Sequence, residues 1–427
     1  MSRLTRTLGL ACLGVAAARA GAQTIAITGG TVYPVSGAPI SNGTVLMRDG
    51  RIVAVGAGVA VPADAQRIDA SGKIVTPGIV NGATELSVVD IGAVAATRNV
   101  SARGREGIAA AFTVWDGLNP ASVLIPPARS AGITSVVIAP RGGLLSGQAA
   151  VLHLVEGSAG DMVMKSPVAM VGQIGSPQQA NAQSRGELLL RLREVLDDAR
   201  TYARRKADYE RAQTRQFAAS RLDLEALGPV LDGRVPLLLE ADRASDIESA
   251  IKLARDYNLK LIISGAAEAW MVADKLAAAH VPVLTGAMNN IPISFSSLGT
   301  RQENAGLLRR AGVTVVIIGN AGGGDEEAFN VRNVRFEAGN AVAYGMTRED
   351  ALRAITLTPA EVFGVADRIG SLQPGKDADV VVWSGDPFEF ATQPEHVFIR
   401  GREVRAPTRQ DLLEQRYKTL PPNYRQP

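Results

Sequence analysis

Histidine and cysteine are the side chains that most often hold transition metals, and this sequence is poor in both. Its 427 residues include three histidines, His153, His280 and His396, and one cysteine, Cys12. That supply excludes most recognisable zinc and iron–sulfur sites, which need several imidazole or thiolate ligands. His153 alternates with apolar neighbours in Ala150-Val151-Leu152-His153-Leu154-Val155, the setting of a satisfied strand histidine. His280 precedes Val281-Pro282 at a helix end, where an imidazole can meet exposed carbonyls. His396 lies in a late strand-like run, and nothing in the spacing makes the three converge. The stretch Gly142-Gly143-Leu144-Leu145-Ser146-Gly147-Gln148 follows an apolar run and could turn backbone N–H groups toward an anion. It lacks the Lys-Ser/Thr ending of a P-loop, and Ser146 is not in a G-x-S-x-G elbow. We read it as a structural or ligand-lining loop, with Gly147 and Gln148 as its lining residues.

The elements that must position such residues follow from composition and periodicity. An apolar fraction of 46% with 20% charged residues is that of a globular protein, too long for one small core. Aromatic residues at 4% argue against a stacking platform for single-stranded nucleic acid. The net charge of +3 resides in the first 22 residues, which carry Arg3, Arg6 and Arg19 and no acid. The remainder is neutral, so no overall basicity draws it to nucleic acid. Arg3 and Arg6 precede an apolar run over 8–18, and Ala20-Gly21-Ala22 supplies the small residues of a cleavage site. Residues 1–22 therefore read as a secretory signal peptide and predict a secreted or periplasmic protein, with no membrane contact after cleavage.

Short alternating runs between Gly, Asp and Pro breaks fill 23–76, with a hairpin signal at Arg48-Asp49-Gly50-Arg51. A second strand-rich patch covers 370–405, and 406–427 reads as a tail. Between them, 77–369 repeats an apolar run, a loop and a helical stretch, the rhythm of parallel strands with crossover helices. Close to eight such units suit a (β/α)8 TIM-like barrel, the two β-rich ends forming a small β-sandwich domain beside it. Residues 181–227 break the rhythm with a helical insertion, read as an amphipathic rim helix or as a partner-binding one.

At this point the sequence resembles the amidohydrolase superfamily, particularly its imidazolonepropionase-like members. Asp69-Ala70-Ser71-Gly72-Lys73-Ile74-Val75-Thr76-Pro77-Gly78-Ile79-Val80-Asn81 resembles the family's entry into the first barrel strand. Gly370-Ser371-Leu372-Gln373-Pro374-Gly375-Lys376-Asp377-Ala378-Asp379-Val380-Val381-Val382-Trp383 resembles its return into the small domain. The resemblance implies a hydrolase of C–N bonds that uses zinc or another divalent metal. It also implies where ligands would stand, and there this chain departs. Ala83 and Glu85 occupy the H-x-H positions, Glu240 that of the histidine after the fifth strand, and Gly265 that of the one after the sixth. The eighth-strand aspartate falls near Asn320 or Ala321, with Asp325 close enough in sequence to replace it.

Glu85 and Glu240, with Asp242 and Asp325, are thus the candidate catalytic carboxylates, and Gly147, Gln148, Arg243, Glu268 and Asn320 the candidate lining residues. Three roles stay open for the acids: an oxygen-ligand site for a hard cation, a carboxylate pair for acid–base work, or salt bridges with partners such as Arg243. No metal ligand is assigned and no cofactor is expected. The expected function is an exported family member with a degenerate metal centre, acting as pseudoenzyme, ligand binder or companion subunit of an active relative. An active hydrolase with a reconstituted carboxylate site is the alternative. A small-molecule ligand and a homo- or hetero-oligomer are the expected partners, and nucleic acid is not.

Overall fold

The computed structural model describes residues 24–288, 292, 294–319, 326–404 and 407–418. The segment 1–22, the loop residues Asn320, Ala321 and Asp325, and the end of the tail lie outside the described residues. Strands β1 (Thr24–Val32), β2 (Ile40–Arg48), β3 (Arg51–Gly56), β4 (Gln66–Asp69) and β5 (Ile74–Pro77) come from the front of the chain. The β2–β3 hairpin turns through Asp49 and Gly50, both at positive φ, as the Asp-Gly pair between alternating strands predicts. A Cβ at position 50 would stand 2.9 Å from the Arg400 carbonyl oxygen, so the turn needs glycine for space as well.

The middle of the chain supplies β6 (Ile79–Thr84), β7 (Ile133–Ile138), β8 (Leu145–His153), β9 (Val163–Gln173), β10 (Leu237–Ala241), β11 (Leu261–Gly265), β12 (Val283–Thr285) and β13 (Val315–Ile317). They form one eight-stranded sheet in chain order. Gly82 of β6 lies so close to β13 that a Cβ there would come within 2.6 Å of Val316 Cγ1, bringing the two ends of the sheet together as a barrel. All neighbours are parallel except β8, which runs antiparallel to both β7 and β9. Val80, Val137, Ala149, Val171, Leu238, Ile262, Leu284 and Val316 fill the interior, and the alternate strand positions pack outward against the helices.

Strands β14 (Val380–Trp383), β15 (Pro394–Ile399) and β16 (Arg402–Glu403) return to the front sheet. There β14 pairs antiparallel with β5, which is itself parallel to β1, so both ends of the chain share one hydrogen-bonded ladder. His153 lies where the barrel meets this sheet. Its Nε2 stands 2.8 Å from an Asp379 carboxylate oxygen, and Asp377 beside it pairs with Arg368 at 2.8 Å.

The long helix Arg185–Arg204 buries Leu188, Leu192, Val195, Leu196, Ala199 and Tyr202 in the main outer core, together with Leu224 and Leu227 of the helix Arg221–Leu231. The stretch expected as a rim insertion is therefore the packed crossover between β9 and β10. Its apolar stripe faces the barrel, which removes the partner-binding reading of that face.

Candidate active site at the barrel mouth

Strand parity selects the residues that face the mouth. Two residues beyond the interior Val171, Leu238 and Ile262 come Gln173, Glu240 and Ser264, and β10 places Glu240 in register with Gln173 on one side and Ser264 on the other. Gln173 is buried and turns both amide ends to Ser176, accepting its N–H and donating to its carbonyl at 2.9 Å each. The Glu240 carboxyl makes no hydrogen bond or ion pair among the described residues. Solvent reaches it, but the surrounding protein strips enough hydration to raise its pKa, an effect that the Arg141 charge opposes.

The other acids are engaged. Glu85, buried just past β6, meets Arg141 Nε at 2.6 Å, so the exits of β6 and β7 are clamped together. Asp246 pairs with Arg185 at 2.8 Å, and Arg185 also donates to Ser296 Oγ at 2.7 Å. Glu268 accepts the Ala244 N–H through one oxygen and the Gly299 N–H through the other, both at 3.1 Å. It thereby satisfies a donor in the first turn of the helix Ala244–Tyr257 and pins the loop that carries Gly299. Asp242 accepts the Ala267 N–H at 3.2 Å. Burial, reinforced by the charges of Glu240, Glu268 and Asp246, lifts its pKa to about 6 against that hydrogen bond.

Of the expected lining residues, Glu268 is beside the mouth as a fastener of backbone. Arg243 makes no ion pair among the described residues; its carbonyl accepts the Asp246 and Ile247 N–H groups, so the salt bridges expected of it fall to Arg141 and Arg185. Gly147 and Gln148 are in strand β8 rather than in a loop. Gln148 faces away from the interior position of Ala149 and donates to the Ala110 carbonyl at 3.1 Å. Asn320 and Asp325 lie outside the described residues. Sequence reasoning missed Arg141, Arg185, Gln173 and Ser264. Counting by twos along β9 and β11 from their apolar inward residues would have found Gln173 and Ser264.

This fold and mouth have known relatives. The family model described as the amidohydrolase family matches residues 239–404. The crystal structure of an amidohydrolase from Thermotoga maritima MSB8 superposes with a TM-score of 0.80 at 27% identity, over 90% of this chain and 100% of that one. The chain is thus similar to proteins of the amidohydrolase superfamily in both sequence and fold. An imidazolonepropionase of Mesorhizobium japonicum is 22% identical over 367 residues, covering 81% of this chain and 87% of that protein. Amidohydrolase tasK of Hapsidospora irregularis is 24% identical over 375 residues, which are 80% of this chain but 37% of tasK. The chain thus spans little more than a third of that relative.

The expectation that no cofactor belongs to such a protein is corrected by these comparisons. An adenosine deaminase from Xanthomonas campestris shares the fold at a TM-score of 0.50 and 18% identity, over 92% of this chain and 97% of that one, and its structure has zinc bound. Histidine scarcity was too narrow a test, since carboxylates also hold divalent ions. Among the described residues of this chain, no three His, Cys, Asp or Glu side chains converge to hold a metal. Glu85 is turned to Arg141 and Glu268 to backbone N–H groups, so these two acids are committed to protein partners, while the end of the eighth strand lies outside the described residues.

Proposed function

We propose that this protein is exported, binds a small amide-type molecule in its barrel mouth, and acts as a ligand binder or as companion subunit of an active relative. One observation carries the reading: Glu240 faces the mouth without a protein partner among the described residues, while Glu85, Asp246 and Glu268 are committed to arginines or backbone. A carboxyl of raised pKa can be both donor and acceptor, and an amide presents the complementary carbonyl and N–H. Gln173 and Ser264 flank it with neutral polar groups. The export part of the reading rests on the sequence of residues 1–22.

Calorimetric titration of the protein with a panel of linear and cyclic amides tests it. Saturable binding that Glu240→Leu abolishes, with the melting curve retained and no product formed, is the expected result. Panel compounds that bind the Glu240→Leu variant equally well would overturn it. A second reading, amide hydrolysis by carboxylate acid–base work, is favoured by Asp242, whose pKa of about 6 responds to Glu240. Product formation that disappears in Glu240→Gln would select it.

A further inference from the structure

At the opposite end of the barrel, where the strands begin, there is a cavity of about 1190 Å³. Neighbouring strands β9 to β12 each bring a basic residue to its wall near their start: Lys165 within β9, and Arg234, Lys260 and His280 just ahead of β10, β11 and β12. The helix Ala244–Tyr257 adds Lys252 and Arg255, and the helix Ala273–Ala278 adds Lys275. Two acids line the cavity and both are used: Glu248 pairs with Lys275, and Glu361 with Arg353 at 2.6 Å. Arg234 and Lys252 have Asp232 and Asp256 as partners. Lys165 donates to the Gly364 carbonyl at 2.9 Å and meets no carboxylate, and Arg255 and Lys260 make no ion pair among the described residues. Helix-end carbonyls account for Arg255 and Lys275, which lie in last turns, but not for Lys165 or Lys260, which belong to a strand and to the entry of one. Ile251 and Pro282 give the same cavity an apolar wall. Although residues 23–427 are neutral overall, positive charge is concentrated here, around a concave surface that focuses its field.

We infer that this cavity is a binding site for a small organic anion carrying two or more negative charges, a phosphorylated or polycarboxylate compound. The cations supply charge-assisted donors from several directions, and the apolar wall accommodates the carbon body. The site is independent of the mouth, and so is its test. Isothermal titration of the full chain uses inorganic pyrophosphate and citrate as separate probes. At least one should bind saturably at one site, with affinity falling as salt rises. Lys260→Glu and Arg255→Glu should each weaken it by about tenfold or more, and Glu240→Leu should leave it unchanged. Both side chains are exposed, so circular dichroism and the melting temperature should match the parent. Pyrophosphate binding without citrate binding identifies the phosphorylated class, and the reverse the polycarboxylate class. Absence of saturable heat with either probe, or unchanged affinity in the double variant R255E/K260E, overturns the proposal.

Discussion

Glu85 is buried and ion-paired, whereas Glu240 is wetted and lacks a protein partner among the described residues, so substitutions at the two should separate stability from binding. Glu85→Gln removes the charge that Arg141 needs at 2.6 Å, and we expect a loss of about 1–3 kcal/mol in urea denaturation. Because Glu240 contributes no such contact, Glu240→Leu should keep or slightly raise stability. An equal loss in both variants would show that Glu240 is structural. Asp242 gives a pH-dependent counterpart. Its folded value of about 6 lies above the ordinary 3.8, so the folded protein keeps a proton that the unfolded chain releases first. Stability therefore falls as pH rises between these values, and the penalty is complete above pH 6. Asp242→Asn retains an acceptor for the Ala267 N–H and should gain about 1–2 kcal/mol above that range, with the difference vanishing near pH 4. Melting curves across this interval check it, and a gain independent of pH would contradict the assignment. The acids at the mouth were legible as carboxylates on strand ends. Their partners were not, because Arg141 and the backbone N–H groups of Ala244 and Gly299 reach them only through the fold.

Strand β8 shows where sequence patterns fail for an element. An alternating apolar run has the same signature whether the strand runs up or down the barrel, and direction is fixed only by its ladders with β7 and β9. The reversal turns the expected loop residues Gly147 and Gln148 into strand positions, with Gln148 pointing outward. Gly147 adopts a φ of 127°, and a Cβ there would stand 2.5 Å from the Phe112 carbonyl oxygen. Gly147→Ala should therefore cost about 1–3 kcal/mol through backbone strain and a displaced 112–113 segment. Gln148→Ala, which loses one hydrogen bond to Ala110, should cost about 1 kcal/mol. Chemical denaturation of the pair measures the ratio, and equal costs would mean that the strand tolerates a side chain at 147. The Arg185–Arg204 helix was legible in its periodicity, but the surface receiving its stripe was not, since Leu224 and Leu227 belong to another helix.

At the scale of the whole molecule, the resemblance of the 69–81 and 370–383 stretches to the family's entry and return sequences made the barrel and flanking sheet legible. The junction joining them was not, because its members come from distant parts of the chain. His153 ends β8, Asp379 immediately precedes β14, and their 2.8 Å contact is almost completely buried. Asp377, alongside, has Arg51 at 2.7 Å and Arg368 at 2.8 Å, whereas Asp379 has His153 and the Arg400 N–H. Removing His153 therefore leaves the Asp379 carboxylate short of a partner in a site without solvent, beside a second carboxylate. His153→Ala should cost about 1–3 kcal/mol or more, the range for leaving a buried polar or charged group without its hydrogen-bond partner. In the double variant His153→Leu, Asp379→Asn, neither an unpaired charge nor an empty cavity remains, and much of that loss should return. Equilibrium unfolding of both variants provides the check. If the single and double variants are equally destabilised, the junction is held by the β5–β14 ladder and the packing of Trp383 rather than by this pair.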